Sequence, residues 1–179
     1  MLDISIYWAL CKSCASCICG TRTPTPAYAD ATARLLFGTG AQESGYRNGR
    51  QLGFSLISTA GAFGFWQVEK GSVTDSLAYL ARRCDVADRA LPWLPEPHRR
   101  VAENSMDGRI VSELLKAIMW SPELGVFFSR VHYLRVPEPI PVRLEDQAGY
   151  WKRHYNTALG KGRPEQYINS WVRLCEDVV

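Results

Sequence analysis

Apolar residues recur at helical spacing along most of the chain. Ala33, Leu36, Phe37 and Gly40 follow the i, i+3, i+4, i+7 rule that lines one face of an α-helix, with Asp30 as its candidate N-cap. Leu77, Leu80, Ala81 and Cys84 repeat the stripe behind "GSVTD", where Ser72 and Asp75 stand at capping-box spacing. Ile110, Leu114, Ala117 and Ile118 form another. In "SPELGVFFSRV", Ser121 predicts an N-cap and Pro122 a first helical residue, with Leu124, Phe127, Phe128 and Val131 turned inward. "PEPIPVR" breaks the period, and Leu144, Ala148, Trp151 and Tyr155 resume it. After "LGKG", Pro164 opens a last helix that buries Ile168, Trp171, Val172 and Cys175. The pattern predicts a mainly α domain of about six helices. One aperiodic stretch, Gly49 to Glu69, has room for a short hairpin or only a loop.

Composition narrows the class. A chain of 179 residues with 46% hydrophobic and 22% charged positions is one globular domain with a core of ordinary size. Six Trp, eight Tyr and six Phe suit a core of bulky rings or a groove lined with flat surfaces. The first residues divide off. Cys11, Cys14, Cys17 and Cys19 are followed by "GTRTPTPA", so residues 1–26 read as a disordered Cys-rich segment and linker, and 27–179 as the domain. A four-thiolate site is conceivable, but the spacing fits neither the ferredoxin run nor two separated zinc pairs, and an unstructured thiol cluster is the preferred reading. Cys84 and Cys175 lie on apolar stripes and read as core residues. His98, His132 and His154 are too scattered for a zinc site, so no metal and no cofactor are expected. No Ser-His-Asp order, P-loop or dinucleotide fingerprint occurs.

The net charge of +3 comes from evenly spread Lys and Arg, with no basic stripe, which argues against a nucleic-acid partner. No run approaches the ~18 apolar residues of a membrane span. "MLDISIYWAL" has Asp3 where a secretory signal carries positive charge, so a conventional signal is not expected.

One carboxylate stands out. In "LLFGTGAQESGYR", Glu43 follows Leu36 by about two turns and returns to the same apolar face. It also falls in the last turn, where unpaired carbonyls disfavour negative charge. Both effects favour the protonated acid and suit a general acid that must protonate a poor leaving group near neutral pH. The alternative is a surface ion pair with Arg47.

Its neighbours carry a resemblance. "AQESGY" resembles the Gln-Glu-Ser-x-Phe stretch of lysozyme-like lytic transglycosylases. "GAFGFWQVEKGSVTD" is similar to that family's Gly-x-x-Gln-Ile-Met-Pro-Ala-Thr segment, with Gly64 and Gln67 on its Gly and Gln. "YWKRHYNTALGKG" resembles its Ala-x-x-Tyr-Asn-Ala-Gly, with Tyr155 and Asn156 on the Tyr-Asn pair. The blocks come in family order. Glu69 to Ser72 replace Met-Pro-Ala-Thr and add a carboxylate. "GAFGFWQVE" and "RVHYLRVPEP" look most like the bacteriophage-encoded members, some of them virion-associated.

The resemblance implies a lysozyme-like domain that cuts peptidoglycan glycan strands. Glu43 would protonate the oxygen between N-acetylmuramic acid and N-acetylglucosamine, then act as base on the muramoyl 6-hydroxyl to close a 1,6-anhydro ring. Ser44, Gly64, Gln67, Glu69, Tyr133, Tyr155 and Asn156 are the expected substrate-binding residues. Tyr133 has packing as its alternative role. Glu69 or Asp75 could instead be the second carboxylate of a hydrolytic muramidase, with Glu69 as a cap for the following helix the alternative. A third possibility keeps the groove for binding only, as a wall-binding module of a virion. The expected setting is a phage virion, or host cytoplasm with delivery to the wall. The expected state is a monomer whose partners are glycan strands and other virion proteins.

Overall fold

The computed structural model describes residues 3–19, 24–47, 61–106 and 111–179. Among these there are nine α-helices: α1 (Ser5–Cys17), α2 (Pro26–Ser44), α3 (Lys70–Arg82), α4 (Cys84–Ala90), α5 (Glu96–Asn104), α6 (Val111–Trp120), α7 (Pro122–Leu134), α8 (Leu144–Trp151) and α9 (Pro164–Leu174). A two-stranded antiparallel hairpin, β1 (Ala62–Phe63) and β2 (Val68–Glu69), pairs Ala62 with Glu69 and Phe63 with Val68. A 3₁₀ turn covers Leu91–Trp93, and a π-helical turn, Lys152–Asn156, extends α8. The mainly α expectation holds, with more and shorter helices than six. The part of the aperiodic stretch from 49 to 60, and Ile110, lie outside the described residues.

Helix α2 is the axis of the core. Thr25, not Asp30, caps it: Thr25 Oγ1 accepts from the Tyr28 amide (3.2 Å), and Pro26 is the first helical residue. The capping geometry of Thr-Pro outcompetes the apolar stripe as a start signal. The helix ends at Ser44, where Gly45 turns left-handed (φ 59°) and its amide returns to the Ala41 carbonyl. Large rings lie on α2 and spend their polar atoms on its carbonyls. Trp66 Nε1 donates to Leu36 (2.8 Å), Tyr46 Oη to Phe37 (2.7 Å) and Tyr167 Oη to Leu35 (3.2 Å). The glycines of "GTG" make this possible. A Cβ on Gly40 would stand 2.6 Å from Tyr46 Oη, and one on Gly38 would collide with the Tyr167 ring.

The N-terminal segment departs from expectation. Ser5–Cys17 is not disordered; it is a helix packed on α2 and α7, with Tyr7, Trp8, Cys11 and Cys14 in the common core. The cysteines at 11 and 14 are one turn apart and face inward as small apolar groups, while Cys17 is exposed. Tyr7 stacks on Tyr46 (4.7 Å between ring centres, 5° between planes). The side chain of Arg130 on α7 reaches the Ile18 carbonyl (2.7 Å) and the Tyr28 hydroxyl (3.2 Å), tying the start of the chain to the core.

Other stripes hold with local exceptions. Leu124, Phe127, Phe128 and Val131 are fully buried, and Ser121 caps α7 through the Leu124 amide (3.1 Å). Cys175 is buried as expected, but Cys84 and Ala81 are exposed, because α3 ends at Arg82 and α4 restarts the phase. Val172 is exposed on the outer edge of α9. The start of α3 also differs: Glu69 is the N-cap residue, Lys70 the first helical one, and no side chain caps it. Ser72 is engaged elsewhere.

Candidate active site

The described residues enclose one large groove of about 860 Å³ where α2, the hairpin, α3, α7 and the turn after α8 meet. Glu43 and Ser44 enter it from the last turn of α2, and Gln67 and Glu69 from the hairpin. Ser72 and Asp75 come from α3, His132 from α7 and Arg135 from just past its end, and Tyr155 and Asn156 from the π turn.

Glu43 is partly buried, and its Oε1 accepts a hydrogen bond from Trp151 Nε1 (2.9 Å). Burial pushes its pKa up from the ordinary 4.5 to about 7, the Trp151 bond pulls the other way, and the nearby charge of Glu69 adds to the rise. Arg47 is exposed, and the hydrogen bond to the carboxylate comes from the indole instead. This is a carboxyl divided about equally between its protonated and ionised forms at neutral pH, at the edge of an open groove.

The residues expected around it separate into two groups. Ser44, Gln67, Glu69, Tyr155 and Asn156 line the groove. Gln67 is held in a left-handed conformation (φ 49°), with its side-chain Nε2 donating to the Gly64 carbonyl (2.7 Å), which fixes the tip of the hairpin. Tyr155 gives its hydroxyl proton to the Trp66 carbonyl (2.7 Å) and faces Ser129 Oγ at 2.9 Å, which then donates. The hydroxyl thus belongs to the wall. Burial, together with the Glu43 charge, pushes its pKa up, so it stays neutral. Asn156 Oδ1 accepts from Lys152 Nζ (2.8 Å).

Gly64 and Tyr133 stand outside the groove. Gly64 (φ 69°) turns the hairpin against α6, and a Cβ there would lie 2.8 Å from the Ile118 carbonyl. Tyr133 is buried beneath the site with its hydroxyl 2.9 Å from Thr39 Oγ1. Thr39 spends its own proton on the Leu35 carbonyl, so Tyr133 donates. Both residues shape the site through packing, which corrects their expected contact with a ligand.

Trp151, Arg135 and His132 take part in the site although the sequence reading does not name them as site residues, and Asp75, a candidate second carboxylate, also lines the groove. Trp151 was placed on a core stripe, and nothing local marks it as the partner of a carboxylate far away in the chain. Asp75 and Arg135 form an ion pair across the groove wall (2.9 Å). His132 is half-buried in the groove wall, with Nδ1 2.9 Å from Ser72 Oγ and Nε2 2.6 Å from the His154 carbonyl. Among the described residues, no three His, Cys, Asp or Glu side chains are grouped to hold a metal ion. No described helix is long and apolar enough to cross a membrane. No family model, no curated protein and no solved structure matches the chain.

Proposed function

We propose that the chain cleaves the bond between N-acetylmuramic acid and N-acetylglucosamine in peptidoglycan, with Glu43 as the general acid and base of a lytic transglycosylase. The observation that carries this reading is a half-buried carboxyl at the edge of a glycan-sized groove: Glu43, oriented by Trp151 and raised to about 7, where it can both give and take a proton. Its proton goes to the glycosidic oxygen as the C1–O bond breaks, leaving the N-acetylglucosamine 4-hydroxyl. The resulting carboxylate then takes the proton of the muramoyl 6-hydroxyl as that oxygen closes on C1. No water is consumed, and Glu43 ends as it began. The resemblance of "AQESGY", "GAFGFWQVE" and "YWKRHYN" to the transglycosylase blocks supports the same assignment.

A hydrolytic muramidase is the second reading, favoured by one fact. Glu69 lines the same groove, and its charge acts on Glu43. A second carboxylate so coupled can activate water or serve as a nucleophile, depending on its separation from the first. A phage virion, with delivery to the wall by the particle, is the setting that goes with either reading.

Digestion of purified peptidoglycan followed by mass analysis of the soluble fragments separates these outcomes. Anhydro-muramic ends are expected. Reducing ends would replace transglycosylation by hydrolysis. Retention of the chain on the wall with no fragments would make it a binding module.

A further inference from the structure

His132 spans two walls of the groove. Its Nε2 faces the His154 carbonyl at 2.6 Å, and a carbonyl only accepts, so Nε2 carries the ring proton. Nδ1 is then the acceptor, and Ser72 Oγ donates to it at 2.9 Å. Burial keeps the ring's pKa below the ordinary 6.5, so the neutral ring is the form present at neutral pH. One end of this strut is in the first turn of α3, three residues beyond Glu69. The other end is the π turn Lys152–Asn156.

That turn is an unusual piece of backbone. A π turn, closed by i→i+5 bonds, is rare and occurs mostly as a single turn set in an α-helix, frequently at functional sites. Thr157, which follows, adopts φ 63°, a strained value for a β-branched residue. Lys152 Nζ clamps the far side with bonds to Asn156 Oδ1, the Thr157 carbonyl and the Gly160 carbonyl, each 2.8 Å. His132 adds an anchor on the groove side, at the His154 carbonyl, beside those of the Tyr155 hydroxyl and of Arg153 on Glu138. The turn matters because of what flanks and fills it. Trp151, the residue just before it, holds Glu43, and Tyr155 within it forms the groove wall, its ring 5.2 Å from the His132 ring.

We propose that His132 is the positioning residue of the site: through the His154 carbonyl it fixes the π turn, and through the turn it holds Trp151 on Glu43 and Tyr155 in the wall. It touches no reacting atom in this role. The inference rests on Glu43 as the acid, and it adds a residue on α7 that controls that acid from the opposite wall. The ionisable groups facing His132 are Arg135, Asp75 and His154; those facing Glu43 are Glu69, Tyr133 and Tyr155.

The test is an NMR titration of the Glu43 carboxyl carbon in protein labelled with ¹³C-glutamate, the signal being assigned with Glu43→Gln. His132→Phe removes both hydrogen bonds at similar volume and loosens Trp151, whose bond favours the ionised carboxylate. The Glu43 midpoint is expected to move to higher pH. His132→Gln, with one acceptor and one donor, is expected to restore it. An unchanged midpoint in a folded His132→Phe protein overturns the proposal. If that variant does not fold, His132→Asn, whose amide matches Nδ1 but is too short to reach the His154 carbonyl, is expected to shift the midpoint in the same direction, and no shift overturns it. The titration needs no substrate, so its result is independent of whether peptidoglycan is cut. With peptidoglycan as substrate, fragment release by His132→Phe is expected to fall roughly tenfold, as for a misplaced catalytic group, with recovery in His132→Gln.

Discussion

A carboxyl that loses its proton at about 7 in the fold and at the ordinary 4.5 in the unfolded chain ties stability to pH. The fold favours the protonated form, so Glu43's contribution is complete below 4.5 and is lost as pH rises through about 7. Glu43→Gln removes this term. Circular dichroism melts are therefore expected to show the variant gaining Tm over the parent as pH is raised from 4.5 through 7, with little difference below. On the proposed reading, activity follows the same group. The rate of fragment release is expected to fall about tenfold per pH unit above the midpoint, because each unit leaves a tenth of the acid protonated. Trp151→Phe removes a bond that stabilises the carboxylate, and the alkaline limb of the pH profile is expected to move upward. The position of Glu43 on the apolar face at the end of α2 was legible from spacing and from Gly45. Its partner was not. Trp151 reaches the carboxylate only because α8 folds back onto α2, and no local pattern encodes that meeting.

At the scale of elements, the apolar period located α3, α6, α7, α8 and α9 well, since each buries one face against the rest. It erred where chemistry at the ends of elements competed with it. Thr25-Pro26 starts α2 ahead of Asp30, and the break at Arg83 turns Cys84 outward. The largest miss is α1, whose short Cys-rich stripe reads as a thiol cluster until α2 and α7 cover it. Burial pushes the Cys11 and Cys14 thiols up and leaves them unreactive, whereas Cys17 and Cys84 are exposed. Brief iodoacetamide treatment of the native protein is expected to alkylate Cys17 and Cys84 and spare Cys11 and Cys14, as read by peptide mass mapping. The close approach of α2 to its tyrosines gives another outcome. Gly40→Ala forces Tyr46 away and is expected to cost about 1–3 kcal/mol, the range for overpacking a core. For a chain of this size that is a Tm loss of roughly 2–4 °C per kcal/mol.

Across the whole molecule, one arrangement organises the rest. The helix that anchors the core also delivers, at its last turn, the acid whose pKa burial raises, so packing and the proposed chemistry share a scaffold. Rings of Trp66, Tyr46 and Tyr167 are seated on α2, and α7 with the π turn lines the groove opposite. Sequence could name the groove residues near Glu43 in the chain motifs, but not that Tyr133 lies below them or that His132 bridges the walls. Those facts depend on how α7 crosses α2 and α8. The measurement that bears most directly on the account is fragment release from purified peptidoglycan at neutral pH by the parent and by Glu43→Gln, with folding of both checked by circular dichroism. The account predicts that the parent releases soluble muropeptides and that the variant, equally folded, loses about a thousandfold or more of that rate. Release at an undiminished rate by Glu43→Gln would contradict it.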